Sequence, residues 1–210
     1  MKKSNTIALI LPSGKVDFKI PPFSLLFLSY GLKKEGYNVN LYHIQDEEID
    51  SAVDEIIKTK PMFAGFSVIT GLPTYYASEM SEQIKKKSDI PVVWGGIHTS
   101  LLYKQCLNEK YIDFVVIGEG EETIVELADA IKKDKDYSHI KGIGYKLNQE
   151  PFINRPRSLK RDISDYKMDI DAINWSDYIH ESDTMYNGKI VRTRELGYYS
   201  SRGCRHNCSF

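Results

Sequence analysis

The first two-thirds of the chain are constrained most by a repeated alternation. Five short apolar runs, TIALIL (6–11), YNVNLY (37–42), MFAGFSV (62–68), IPVVWGG (90–96) and IDFVVIG (112–118), alternate with stretches of helical period. Continuous apolar runs suit strands buried on both faces, as in a parallel sheet. Between two of them, Ile49, Ala52, Val53, Ile56 and Ile57 fall at helical spacing, with Asp46 placed to cap the helix. Pro73 fits the first turn of the next helix. Thr123, Ile124, Leu127, Ala128 and Ile131 mark another, with Glu121 and Glu122 near its positive end. The first helix begins near Pro22 and ends at Gly36. The pattern predicts a doubly wound α/β domain over residues 1–136. Its five-stranded parallel sheet is flavodoxin-like or Rossmann-like, with strand order 2-1-3-4-5.

Beyond Tyr137 the period breaks. Residues 137–188 read as a hairpin turning at Asn148-Gln149, followed by a connecting arm with short helical turns. Trp175 and Tyr178 are the expected anchors of that arm. Residues 189–210 read as one or two further strands that open a second, truncated domain. With 41% apolar and 27% charged residues the chain can bury a core. A net charge of -1 gives no basic excess for nucleic acid. The apolar run before Pro12 is too short for a secretory signal or a membrane span. Three cysteines without such a signal argue against a disulfide framework. The expectation is a cytoplasmic protein with no membrane partner.

In a doubly wound sheet, ligands bind outside the carboxyl ends of the strands. The loops there are PSGK (12–15), SVITG (67–71), GGIHTS (95–100) and GEGEE (118–122). Several carry glycine beside serine, threonine or glutamate, which suits a flat or bulky ligand approached by backbone. The first loop has no G-x-G-x-x-G and no phosphate-binding P-loop. It also lacks an acidic pair, and the chain has no G-x-S-x-G hydrolase elbow. Cys106 reads as a small buried hydrophobe. His43, His139 and His180 read as surface or structural groups, whereas His98 lies in the Gly-Gly loop, where a structural role and ligand contact are equally open.

Ser67-Val68-Ile69 and Gly95-Gly96 resemble the Ser-x-Leu and Gly-Gly elements of cobalamin-binding domains. The resemblance implies that the cofactor's nucleotide tail slides into the carboxyl edge, meeting the serine where the glycines leave room. LPSGKVDFKI departs from the Asp-x-His-x-x-Gly pattern and offers no histidine for cobalt. At the other end, Cys204-x-x-x-Cys208-Ser-Phe resembles C-x-x-x-C-x-Phe-C, the four-iron four-sulfur cluster motif of radical S-adenosylmethionine enzymes, short of its third cysteine. With PPFSLLFLSYGLKKEGYNV, GGIHTS, IDFVVIGEGEET and IKGIGYK upstream, nearly the whole chain is similar to the cobalamin-dependent branch of that family. The resemblance implies cobalamin held by Pro12, Ser67, Thr70, Gly95, Gly96 and His98, and by Gly118, Glu119, Gly120 and Glu121. It implies metal ligation by Cys204 and Cys208, and no catalytic side chain of the chain's own. The cofactors implied are cobalamin and, in an intact protein, a 4Fe-4S cluster and S-adenosylmethionine. The activity implied is radical methyl transfer to an unactivated carbon of an unknown substrate, with this chain an inactive N-terminal part. The rival readings are a stand-alone corrinoid carrier or sensor without catalysis, and a zinc site using His206.

Overall fold

The computed structural model describes residues 4–14 and 19–203. Five parallel strands, β1 (Thr6–Pro12), β2 (Asn38–Ile44), β3 (Ala64–Ser67), β4 (Val92–Gly95) and β5 (Phe114–Val116), alternate with five helices. These are α1 (Phe23–Lys34), α2 (Ile49–Thr59), α3 (Leu72–Lys87), α4 (Ile97–Asn108) and α5 (Glu121–Lys133). The order β2-β1-β3-β4-β5 is the one expected of a five-stranded doubly wound sheet. The sheet is larger than the five strands expected. The hairpin β6 (Ile143–Leu147) and β7 (Glu150–Ile153) joins it, antiparallel to β5, so it holds seven strands. Asn148 and Gln149 turn this hairpin with φ of 53° and 71°, the paired positive φ of a tight hairpin turn. The hairpin covers the edge that β5 would otherwise present.

Alternate strand residues feed two cores. Ile10, Phe66, Val92 and Trp94 pack with α2, α3 and α4 on one face. Ile7, Leu9, Phe63, Val93 and Val116 pack with α1 and α5 on the other. Trp94 is 2% exposed, and its Nε1 donates to Ser81 Oγ at 3.0 Å, so the buried indole N–H is satisfied. Pro21 and Pro22 precede α1, and Gly36, at φ 83°, follows its C-terminal end. Pro73 lies in the first turn of α3. Asp46 is not the cap of α2. It begins a short 3-10 turn (Asp46–Glu48) whose cap position is held by Gln45, the backbone N–H of which donates to Glu48 Oε2 at 3.0 Å.

The arm carries two 3-10 turns, Ile170–Ala172 and Trp175–Tyr178. Asp169 docks it on α1: Ser29 Oγ donates to its carboxylate at 2.5 Å, and Lys33 Nζ lies 2.7 Å away. Tyr178 is buried, with its ring stacked on His43. Trp175 instead donates to Ile170 O within the arm itself. The arm's last residues are not helical turns but a strand. β8 (His180–Tyr186) pairs with β9 (Lys189–Glu195) in a separate antiparallel hairpin around Asn187-Gly188. Among the described residues no helix is long and apolar enough to cross a membrane.

Candidate functional site

Small residues open the α1/α5 face of the sheet. Ser67 and Gly95 are paired across β3 and β4 and so share a face. Gly65, two residues before Ser67, lies on that face too. Here α1 and α5 do not close onto the strands, and a cavity of about 460 Å³ remains. Its wall is apolar where Leu9, Leu25, Leu28, Val93, Val116 and Ile124 line it. At the carboxyl edge of the sheet, Gly96 and the loop Gly118–Glu121 form its rim. Ser67 is 8% exposed, and its Oγ lies 3.0 Å from Ser24 Oγ on α1. This hydroxyl pair is a polar spot in an otherwise apolar wall. One hydrogen suffices to join the two oxygens, which leaves donor and acceptor capacity for a ligand.

The glycines act in different ways. A Cβ on Gly95 would meet nothing closer than Val116 Cβ at 3.7 Å, so its absence adds room. A Cβ on Gly96 would stand 2.6 Å from Val68 O and 2.8 Å from Val68 N, and Gly96 has φ +93°. Gly96 therefore lets two loops approach each other. Ser100 ties the next pair, donating to Gly96 O at 2.8 Å and accepting from Gly118 N at 2.9 Å.

Seven of the ten sequence-predicted binding residues line this cavity: Ser67, Gly95, Gly96, Gly118, Glu119, Gly120 and Glu121. Pro12, Thr70 and His98 do not. Pro12 is buried at the end of β1. Thr70 is exposed, and its Oγ1 lies 3.1 Å from His98 Nδ1, which ties the β3 loop to the first turn of α4. Cys204 and Cys208, with His206, lie outside the described residues. Among the described residues no group of three acidic, histidine or cysteine side chains is placed to hold a metal. Cys106 is buried, as expected, and burial pushes its thiol pKa up.

Sequence reasoning missed two walls. One is the start of α1, where Phe23, Ser24 and Phe27 face the cavity. Its signal in the sequence is the PPFSLL stretch, part of the resemblance to the cobalamin-dependent branch. The other comes from far along the chain. Tyr199, Ser201, Arg202 and Gly203 close the remaining side. Tyr199 packs on Phe23 with ring centroids 4.6 Å apart. The Arg202 guanidinium lies 4.0 Å over the Phe27 ring and forms an ion pair with Glu121. His43 sits within β2 rather than after it, with Nδ1 3.2 Å from Tyr178 Oη. Burial, reinforced by the charge of Lys19, lowers its pKa to about 4.

A trough of small residues on one face, reached from the carboxyl edge of the strands, lies where doubly wound α/β domains bind their ligands. Residues 11–128 match the B12 binding domain family, and the chain belongs to that family. Over 203 residues it is 30% identical to the anaerobic magnesium-protoporphyrin IX monomethyl ester cyclase of Cereibacter sphaeroides, covering 90% of this chain and 31% of that one. It is 24% identical over 165 residues to the tryptophan 2-C-methyltransferase of Streptomyces laurentii, covering 72% of this chain and 27% of the relative. The structure of the radical S-adenosylmethionine methyltransferase TsrM from Kitasatospora setae, with cobalamin and a [4Fe-4S] cluster bound, superposes with a TM-score of 0.66 at 25% identity. That match covers 79% of this chain and 31% of TsrM. The chain thus spans about a third of the length of the curated relatives it matches.

Proposed function

We propose that the chain binds cobalamin with the nucleotide tail in the cavity on the α1/α5 face, as the cobalamin-binding part of a radical S-adenosylmethionine enzyme. The observation that carries this reading is the trough made by Gly65, Ser67 and Gly95 under α1 and α5. The chain's residues fit such a tail. The apolar wall accepts a flat base and excludes water, and the Ser24–Ser67 hydroxyl pair offers it a hydrogen bond. The glycines of the 118–120 loop let backbone come close at the rim. Bound cobalamin would supply a methyl carrier, and a cluster with S-adenosylmethionine would supply a radical. Cys204 and Cys208 are proposed as two of the cluster's thiolate ligands. In this reading residues 1–136 hold the cofactor, 137–188 form the hairpin and arm, and 189–210 lead into the radical domain.

Methyl transfer to an unactivated carbon is the first reading of the chemistry, supported by the likeness to TsrM and to the tryptophan methyltransferase. Ring closure is the second, favoured by the relatives named as cyclases, at 30% and 29% identity. In an enzyme containing this domain, a labelled methyl group passing from S-adenosylmethionine into product supports the first. Turnover without label in product supports the second. Cobalamin binding is tested on the chain itself. Mixed with hydroxocobalamin and passed over a sizing column, the protein should retain corrinoid absorbance at about one equivalent per chain. Colourless protein at high micromolar concentration defeats the reading.

A further inference from the structure

The cavity has an unbalanced rim. Among the described residues that line it, Glu119 and Glu121 are acidic and Arg202 is the one cation. Cobalamin's nucleotide tail carries a phosphodiester, an anion at neutral pH, while the corrin's own side chains end in neutral amides. An anion brought to a rim with two carboxylates needs a counter-charge. We propose that Arg202 is that counter-charge: it is the residue that reads the phosphodiester and so selects corrinoids with a complete tail. The proposal rests on the cobalamin reading given above.

The placement of Arg202 supports this role. Its side chain is 27% exposed, at the boundary between wall and solvent. Its guanidinium carbon lies 4.0 Å over the Phe27 ring and 5.7 Å from the Tyr166 ring centre. Glu121, only 10% exposed, engages Nη1. Guanidinium donors lie in the plane of the group, the cation–π contact with Phe27 uses none of its N–H groups, and one ion pair leaves others free. The group is thus oriented and incompletely used, which suits a second anionic partner. Arg202 also lies outside the 11–128 stretch that matches the family. The selectivity would come from the segment that runs directly into Cys204, so the tail would be read by the same strap that leads to the cysteines.

The test compares hydroxocobalamin with aquocobinamide, which has the same corrin but neither phosphodiester nor base. Both are titrated by visible absorbance into the 210-residue chain and its variants. Arg202→Gln should weaken cobalamin about tenfold or more, the scale of a charge-assisted hydrogen bond. It should leave cobinamide within about twofold, the ordinary effect of a change away from a contact. Glu121→Gln removes the competing carboxylate and should shift the cobalamin-to-cobinamide preference the other way. Equal loss of both corrinoids in Arg202→Gln makes Arg202 a structural latch and overturns the proposal. So does an unchanged preference in both variants. Should Arg202→Gln fail to fold, an unchanged preference in Glu121→Gln alone is enough to reject it. Wild-type chain that binds neither corrinoid would instead defeat the cobalamin reading itself.

Discussion

Gly95 and Gly96 are neighbours in sequence with opposite roles. Gly96→Ala would force a Cβ against the Val68 backbone at a φ of +93°, and backbone yields far less readily than a side chain. We expect a loss of about 2–4 kcal/mol, read as a lowered midpoint in denaturant. Gly95→Leu should leave that midpoint within about 1.5 kcal/mol, because the cavity has room for the side chain. It should still displace cobalamin, seen as lost corrinoid retention on the sizing column. Equal destabilisation by the two substitutions would show that Gly95 is also a packing glycine. His43 gives a second residue-scale expectation. Its pKa is about 4 in the folded chain against an ordinary 6.5. Between those values the unfolded chain binds a proton that the folded one refuses. Stability from this group is therefore complete above pH 6.5 and is lost as pH falls toward 4, at up to about 1.4 kcal/mol per pH unit. Subtracting the pH profile of His43→Gln from that of wild type should isolate this slope. A flat difference between pH 4 and 6.5 would show that His43 is not held neutral.

At the scale of elements, Asp169 holds the arm on α1: its carboxylate has two partners, and its backbone N–H donates to Leu26 O at 3.1 Å. Asp169 is 12% exposed, and Ser29 beneath it is fully buried. Asp169→Ala should leave the Ser29 hydroxyl without its acceptor, at a cost of about 1–3 kcal/mol. The loss should be local: limited proteolysis should speed up within residues 160–178 while cleavage in the sheet domain does not change. Uniform acceleration would mean that the arm is integral to the core. Four of the five strands were legible as strands because buried parallel strands write themselves as apolar runs. β2, NVNLYHI at the sheet edge, is only partly buried. The strand order came from the commoner five-strand doubly wound arrangement rather than from any local signal. The turn at Asn148-Gln149 was legible as a hairpin. Its destination was not, because pairing Phe114 with Tyr145 and Val115 with Gly144 is a contact across about 30 residues with no local signature. β8 was missed for a related reason. HESDTMY is exposed over most of its length, so it lacks the apolar pattern that marks a strand. The cavity was half legible. Loop glycines and Ser67 announce themselves by type and place, but Ser24, Tyr199 and Arg202 belong to it only through tertiary packing.

At the scale of the whole molecule, the cavity couples three separate stretches: the sheet edge, the start of α1 and the strap at 199–203. A ligand that fills it binds the folded chain alone, so cobalamin at about a hundred times its dissociation constant should add about 2.7 kcal/mol. For a chain of this size that corresponds to a midpoint about 5–10 °C higher in a thermal scan. Cobalt chloride, which shares the metal but not the corrin or tail, should give no such shift. Iron should behave differently from cobalamin. The chain has three cysteines, and Cys106 is buried in α4, where its thiol is kept protonated and out of reach. Only Cys204 and Cys208 remain as candidate thiolate ligands, fewer than the three that an open-site cluster requires and the four of a closed one. Anaerobic reconstitution of the 210-residue chain with iron and sulfide should therefore give well under one cluster's worth of iron. Cys204→Ser should change that little, and cobalamin binding should be the same with or without iron. About four irons per chain, lost in Cys204→Ser, would show that the pair completes its ligand set from another group. Stoichiometric zinc bound through Cys204, Cys208 and His206 would point the same residues to a different metal.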